Sequence, residues 1–184
     1  MNWKTLKQKH LQSGILVDTN LLLVLLVGKI NKRLIGGKRT EKYSQDDYYI
    51  LVDFIKDFKR LITTPHILTE VSNLGGAALT GTDRADFLGL LRTPSLFDVK
   101  ATDELVLERH VPRKDVETDH IRQFGLTDSA IVKLCTTGLR RRPLLLSDDF
   151  DLFALVSRLK GHSINFNHIL DEKLTAFSTS ICYL

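Results

Sequence analysis

Ile15-Leu16-Val17-Asp18-Thr19-Asn20 is a short apolar run that stops on a carboxylate followed by two small polar residues. A buried strand that ends this way lifts its acid to the rim of a sheet, where a ligand can reach it. Glu70, Asp128 and the pair Asp148-Asp149 follow similar apolar punctuation further along the chain. Four carboxylates meeting on one rim would repel by about 3 kcal/mol per pair at ~5 Å and an effective dielectric of ~20. Such a rim calls for divalent cations.

Outward from this stretch, apolar runs alternate with helical periodicity. Strands are expected at Ile15 to Asp18, Leu61 to Thr64, Phe97 to Ala101, Leu144 to Leu146 and Ser163 to Phe166. Strands separated by helices form βαβ units, so the expected fold is α/β: a three-layer α/β/α sandwich with a mainly parallel sheet of about five strands. At 184 residues the chain fits one domain, residues 1–184. The glycine-containing, basic stretch Gly28 to Glu41, within a loop insertion at 28–43, reads as a mobile connection, and Arg109 to Asp119 as a loop or helix boundary.

Each acid carries a functional and a plain reading. Asp18 ends the first strand, but Thr19 or Asn20 capping the next helix, with Asp18 complementing its dipole, explains the same residues. Thr64 followed by Pro65 is a helix start, and 100° per residue then puts Ile67, Glu70, Val71 and Leu74 on one face. A glutamate there is costly unless paired or metal-bound; the alternative is a glutamate at the edge of that face. Thr127 fits an N-cap, with Asp128 in the first turn, where a helix dipole alone favours an acid. In Leu146-Ser147-Asp148-Asp149-Phe150-Asp151-Leu152, three acids in four positions exceed what one cap requires, and periodicity leaves open which of Asp148 and Asp149 faces the rim.

Composition narrows the class further. Lys and Arg total 26 against 22 Asp and Glu, a net charge of +4, with basic residues concentrated near Lys4 to Lys9, Lys29 to Lys42 and Arg140 to Arg142. Patches of this kind neutralise phosphates, although each could equally be solvated surface charge. Cys135 and Cys182 lack a disulfide spacing, the run Leu21 to Val27 is too short to span a bilayer, and the N-terminal region lacks a small-residue cleavage pattern. A cytoplasmic protein without a membrane partner is expected.

In order along the chain, Val17-Asp18-Thr19-Asn20, Thr64-Pro65 with Glu70, Leu126-Thr127-Asp128 with Ala130, and Leu146 to Leu152 resemble the four motifs of the PIN-domain family of metal-dependent nucleases. The resemblance implies a PIN-like fold and an acidic tetrad of Asp18, Glu70, Asp128 and Asp149. Asp151 would be an accessory metal ligand, Asn20, Thr127 and Ser147 would support the site, and Asp148 is the fallback for Asp149. A set of carboxylates without clustered His or Cys suits Mg²⁺ or Mn²⁺. The implied activity is hydrolysis of RNA phosphodiester bonds to a 3′-hydroxyl and a 5′-phosphate. RNA is preferred to DNA as substrate, a protein antitoxin is the partner of a toxin-type enzyme, and a homodimer is a further expectation.

The competing readings are an aspartate-based phosphoryl transferase with Asp18 as nucleophile, a receiver-like Mg²⁺ module, and a nucleic-acid-binding domain that has lost catalysis. Asn20 stands where aspartate-nucleophile phosphatases carry a second acid, and the Asp148-Asp149 pair follows the fourth strand, where a receiver would have its pair near the first. His66 precedes Glu70 by one helical turn, but the other histidines are scattered, so zinc is not expected.

Overall fold

A computed structural model describes residues 2–91, 104–107, 118–137 and 142–181. The order of elements is α1 (Trp3–His10), β1 (Ile15–Val17), α2 (Thr19–Ile30), α3 (Gln45–Ile55), β2 (Arg60–Thr63), α4 (Pro65–Ala78), α5 (Gly81–Leu90), β3 (Glu104–Leu107), α6 (Thr118–Thr136), β4 (Leu144–Ser147), α7 (Phe150–Arg158), β5 (Ser163–Asn165) and α8 (Phe166–Ile181). The strands run β3-β2-β1-β4-β5 across one sheet, and every pairing is parallel. The third strand is thus Glu104–Leu107, whereas the expected strand at Phe97 to Ala101 lies outside the described residues, as does most of Arg109 to Asp119.

Burial explains why the strand sequences are continuously apolar. Successive side chains on a strand point to opposite faces, and Ile15, Leu16, Leu144, Leu145 and Leu146 are all fully buried. Both faces of the central strands are therefore covered, which parallel sheets with helical crossovers require. Helix α2 is buried at every position from Leu21 to Gly28 and packs against α3, α4 and α5. A helix that is apolar all round belongs inside. At 12 residues it is about 18 Å long, against the ~30 Å of a hydrocarbon core. Among the described residues no helix is long and apolar enough to cross a membrane.

The sheet positions the site through its strand order. From β1 the chain steps outward to β2 and β3, then returns to β4 on the other side of β1 and steps outward again to β5. The strand order reverses between β1 and β4, and in open α/β sheets ligands usually bind in the crevice beyond the carboxyl ends of the strands at such a reversal. Thr64 caps α4 by accepting from the Ile67 N–H at 3.2 Å, with Pro65 in the first turn, as the sequence predicts. The stretch after α2 contains a 3₁₀ turn at Lys32–Leu34 and buries Ile35, Thr40 and Tyr43. It is a strap pinned to the body of the protein rather than the free connection expected from its composition.

Helices α4 and α5 touch through Gly75, where an added Cβ would fall inside van der Waals contact with the fully buried Phe87 ring. In a helix interior Gly→Ala ordinarily stabilises by about 1 kcal/mol, whereas overpacking a core costs about 1–3 kcal/mol or more. Gly75→Ala is therefore predicted to destabilise by about 1–2 kcal/mol net. A thermal melt should show Tm lowered by a few degrees, at ~2–4 °C per kcal/mol for a chain of this size.

Candidate active site

The register of β1 on β4 brings their ends level. Val17 pairs with Leu146, and the Asp18 N–H extends the ladder by donating to the Leu146 carbonyl at 3.0 Å. Asp18 consequently lies beside Ser147, whose hydroxyl donates to Asp18 Oδ2 and accepts from the Asp149 N–H at 3.0 Å. The other Asp18 oxygen accepts from the Thr19 N–H, so Asp18 itself is the N-cap of α2. Capping is real here, but Thr19 and Asn20 do not supply it. At 4% exposure Asp18 is also a buried carboxylate, which a cap alone does not require.

Two further acids are tied to the start of α2 from elements far apart in sequence, Glu70 through Thr19 and Asp148 through Asn20. The Thr19 hydroxyl donates to Glu70 Oε2 at 3.2 Å, tying α4 to the start of α2. Glu70 is exposed, so the burial cost expected for it does not arise. Ile67, Val71 and Gly75 are the buried residues of α4, and Glu70 is turned about 100° from Val71, at the edge of that stripe. The edge alternative is the one the structure adopts.

Gly125, at φ 81° and ψ −179°, breaks α6 two residues before the expected cap, a backbone conformation that favours glycine. Thr127 therefore lies in the first turn of the resumed helix with Asp128 and does not begin it. Asp149 is exposed and caps α7, accepting from the Leu152 N–H at 3.0 Å. Asp151 is exposed in the first turn of the same helix.

Asp148 is held by a segment for which the sequence predicted no such role. Its side chain is 3% exposed, and Oδ2 accepts from the Tyr43 hydroxyl at 2.6 Å and pairs with the Lys42 ammonium. The Asn20 amide makes a longer contact to Oδ1 at 3.5 Å. More than a hundred residues separate Tyr43 from Asp148, and periodicity carries no information across that distance. The one local hint is a tyrosine directly after the basic run.

These carboxyl groups act on one another. Burial pushes Asp18 up to about 7; the Ser147 hydrogen bond opposes the rise, while the charges of Asp148 and Asp128 add to it. Burial, then the charges of Glu70 and Asp149, push Asp128 up to about 6. Burial and the charge of Asp148 hold the Tyr43 phenol far above its ordinary value, so it remains a donor. The acids on the β1 exit, α4, α6 and the β4 exit thus form one electrostatically linked set. Among the described residues, however, no three His, Cys, Asp or Glu side chains stand close enough together to hold a metal ion. The donor chemistry and the excess negative charge fit a hard divalent cation.

Comparison with protein-family models, curated proteins and solved structures gave no match to this chain.

Asp18 and Asp128 ionise near 7 and 6 in the fold, against 3.8 ordinarily. Between pH about 4 and about 7 the native state keeps protons that the unfolded chain has released, so stability falls as pH rises through that window and levels off above it. Asn caps helices as well as Asp. Urea denaturation in chelator should therefore find Asp18→Asn on the order of 2 kcal/mol more stable than the parent at pH 8, with that advantage gone by pH 4.

Proposed function

We propose that this protein is a metal-dependent nuclease of the PIN type, which hydrolyses RNA phosphodiester bonds at the crevice between the ends of β1 and β4. The observation that carries the reading is the meeting of Asp18 with Ser147 at the ends of β1 and β4, with Glu70 tied to the same point through Thr19 and Asp148 through Asn20, beside the charges of Asp128 and Asp149. Such a concentration of negative charge is costly without a cation. Drawn together from their present spacing, Asp18, Glu70, Asp128 and Asp149 would hold Mg²⁺ or Mn²⁺, with Asp151 as a further oxygen donor. The chemistry such an ion supplies is activation of water and stabilisation of charge during in-line displacement at phosphorus.

The chain's own groups prepare that chemistry. Ser147 fixes the orientation of Asp18 and, through the Asp149 N–H, the path of the backbone into α7. Thr19 holds Glu70 at the start of α2. With both oxygens of Asp18 engaged and its side chain nearly buried, it is poorly disposed to attack phosphorus itself, which counts against the phosphoryl-transferase reading. Each oxygen keeps a second lone pair with which to meet a cation. On the PIN resemblance, we assign the protein the role of a toxin ribonuclease restrained by a protein antitoxin.

The test is cleavage of labelled single-stranded and structured RNA by the wild type, Asp18→Asn and Asp149→Asn with Mg²⁺, Mn²⁺ or chelator. Metal-dependent cleavage leaving 5′-phosphate ends is expected, with Asp18→Asn reduced at least ~100-fold. Cleavage that persists in chelator, or full activity in Asp18→Asn, would sink the reading.

A further inference from the structure

The strap between α2 and α3 alternates anchors with charges. Ile35, Thr40 and Tyr43 are buried, while Lys32, Arg33, Lys38, Arg39 and Lys42 are exposed, with Glu41 as the strap's one acid. Its fold is set locally. Asn31 closes α2 through its N–H to the Val27 carbonyl, its side chain accepts from the Arg33 N–H at 3.0 Å, and the Thr40 hydroxyl donates to the Gly37 carbonyl at 3.1 Å. Its far end is set by a tertiary contact, since Lys42 and Tyr43 both close on Asp148.

That contact has an asymmetry which argues against a purely stabilising role. The Asp148 side chain is 3% exposed and the Lys42 side chain 60%, so the carboxylate bears the desolvation while the ammonium stays in water. Asp148 is already supplied with a hydroxyl and an ammonium, whereas Asp149 is exposed and accepts from the N–H of its own helix, and Asp128 feels the charges of Glu70 and Asp149. A carboxylate so occupied is a poor candidate for coordinating an ion, but it is well suited to anchoring a neighbouring segment. The strap in turn brings Lys42 to the edge of a rim that would otherwise repel an approaching phosphate, with exposed Lys38 and Arg39 shortly before it in the chain.

We infer that residues 31–43 are the phosphate grip of this site, that Asp148 anchors the grip through Tyr43 and Lys42 instead of binding the metal, and that the ligand held is the backbone of single-stranded RNA. The inference rests on the nuclease reading and specifies its substrate contact. Tyr43 is a positioning residue: it acts on the substrate through the strap it fixes.

The experiment measures binding without turnover. Anisotropy of a fluorescent single-stranded RNA is titrated in chelator at several NaCl concentrations for the wild type, Tyr43→Phe, Asp148→Asn and the triple variant Arg33→Ala/Lys38→Ala/Arg39→Ala. Mn²⁺ binding is measured separately by calorimetry, with Asp18→Asn as the comparison. The triple variant changes exposed side chains only, so it tests the grip even if an anchor variant is destabilised. It should bind RNA at least ~10-fold more weakly, with a salt slope shallower by about 2, at about 0.7 per phosphate contact on a single strand. Tyr43→Phe and Asp148→Asn should weaken RNA binding and retain Mn²⁺ binding, whereas Asp18→Asn should lose the Mn²⁺. Loss of Mn²⁺ binding in Asp148→Asn overturns its role as anchor. Unchanged RNA affinity and salt slope in the triple variant overturn the grip alone. A wild type that binds Mn²⁺ but no RNA overturns the substrate class, and the grip with it.

Discussion

The pairing of Val17 with Leu146 across the central parallel strands is the constraint on which the rest of the structure depends. It makes β1 and β4 end at the same height, so Asp18, the cap of α2, meets Ser147, which leads into α7. A slip of one residue would turn every side chain of a strand to the opposite face. Both faces are buried, so burial alone tolerates such a slip for the apolar residues. Ser147 does not, because its hydroxyl must find Asp18 and the Asp149 N–H within a region excluded from water. The polar contact at the end of the strands thus specifies what the apolar run leaves undetermined.

Around this junction the protein accepts electrostatic cost and offsets it in different ways. Asp18 retains its proton toward neutral pH, because burial and two neighbouring acids outweigh the hydrogen bonds it receives. Asp148 is paired with Lys42 and Tyr43 of the strap, and Asp149 faces water and a helix N-terminus. Three adjacent solutions to one problem leave the rim charged but not uniformly so. That gradation separates an acid suited to anchoring from acids suited to a cation, although Asp148 and Asp149 are neighbours in the chain.

The sequence was legible where local geometry governs. Thr64-Pro65 marks the start of α4, and the apolar runs at β1 and β4 end on the acids that occupy the rim. Legibility failed in three particular ways. Glu70 shares a helical face with apolar residues in projection, but the buried stripe runs through Val71 and leaves Glu70 at its edge. Thr127 has the chemistry of a cap, yet Gly125 breaks the helix first because a left-handed φ is easiest for glycine. The basic strap reads as a free loop because its anchors, Ile35, Thr40 and Tyr43, are too sparse to form a periodic pattern.

The sequence by itself determined the alternation of strands and helices, the parallel class of the sheet, and the residue types available at the rim. These follow from hydrophobic period and capping chemistry, which act over a few residues. Only the tertiary structure decided which acid meets which partner: Asp18 with Ser147, Glu70 with Thr19, and Asp148 with Tyr43 and Lys42. Each of those contacts joins segments whose separation in the chain is spanned by strand order and register. The physical reason is that a carboxylate's role is set by burial and by the charges beside it, and both belong to the packed molecule.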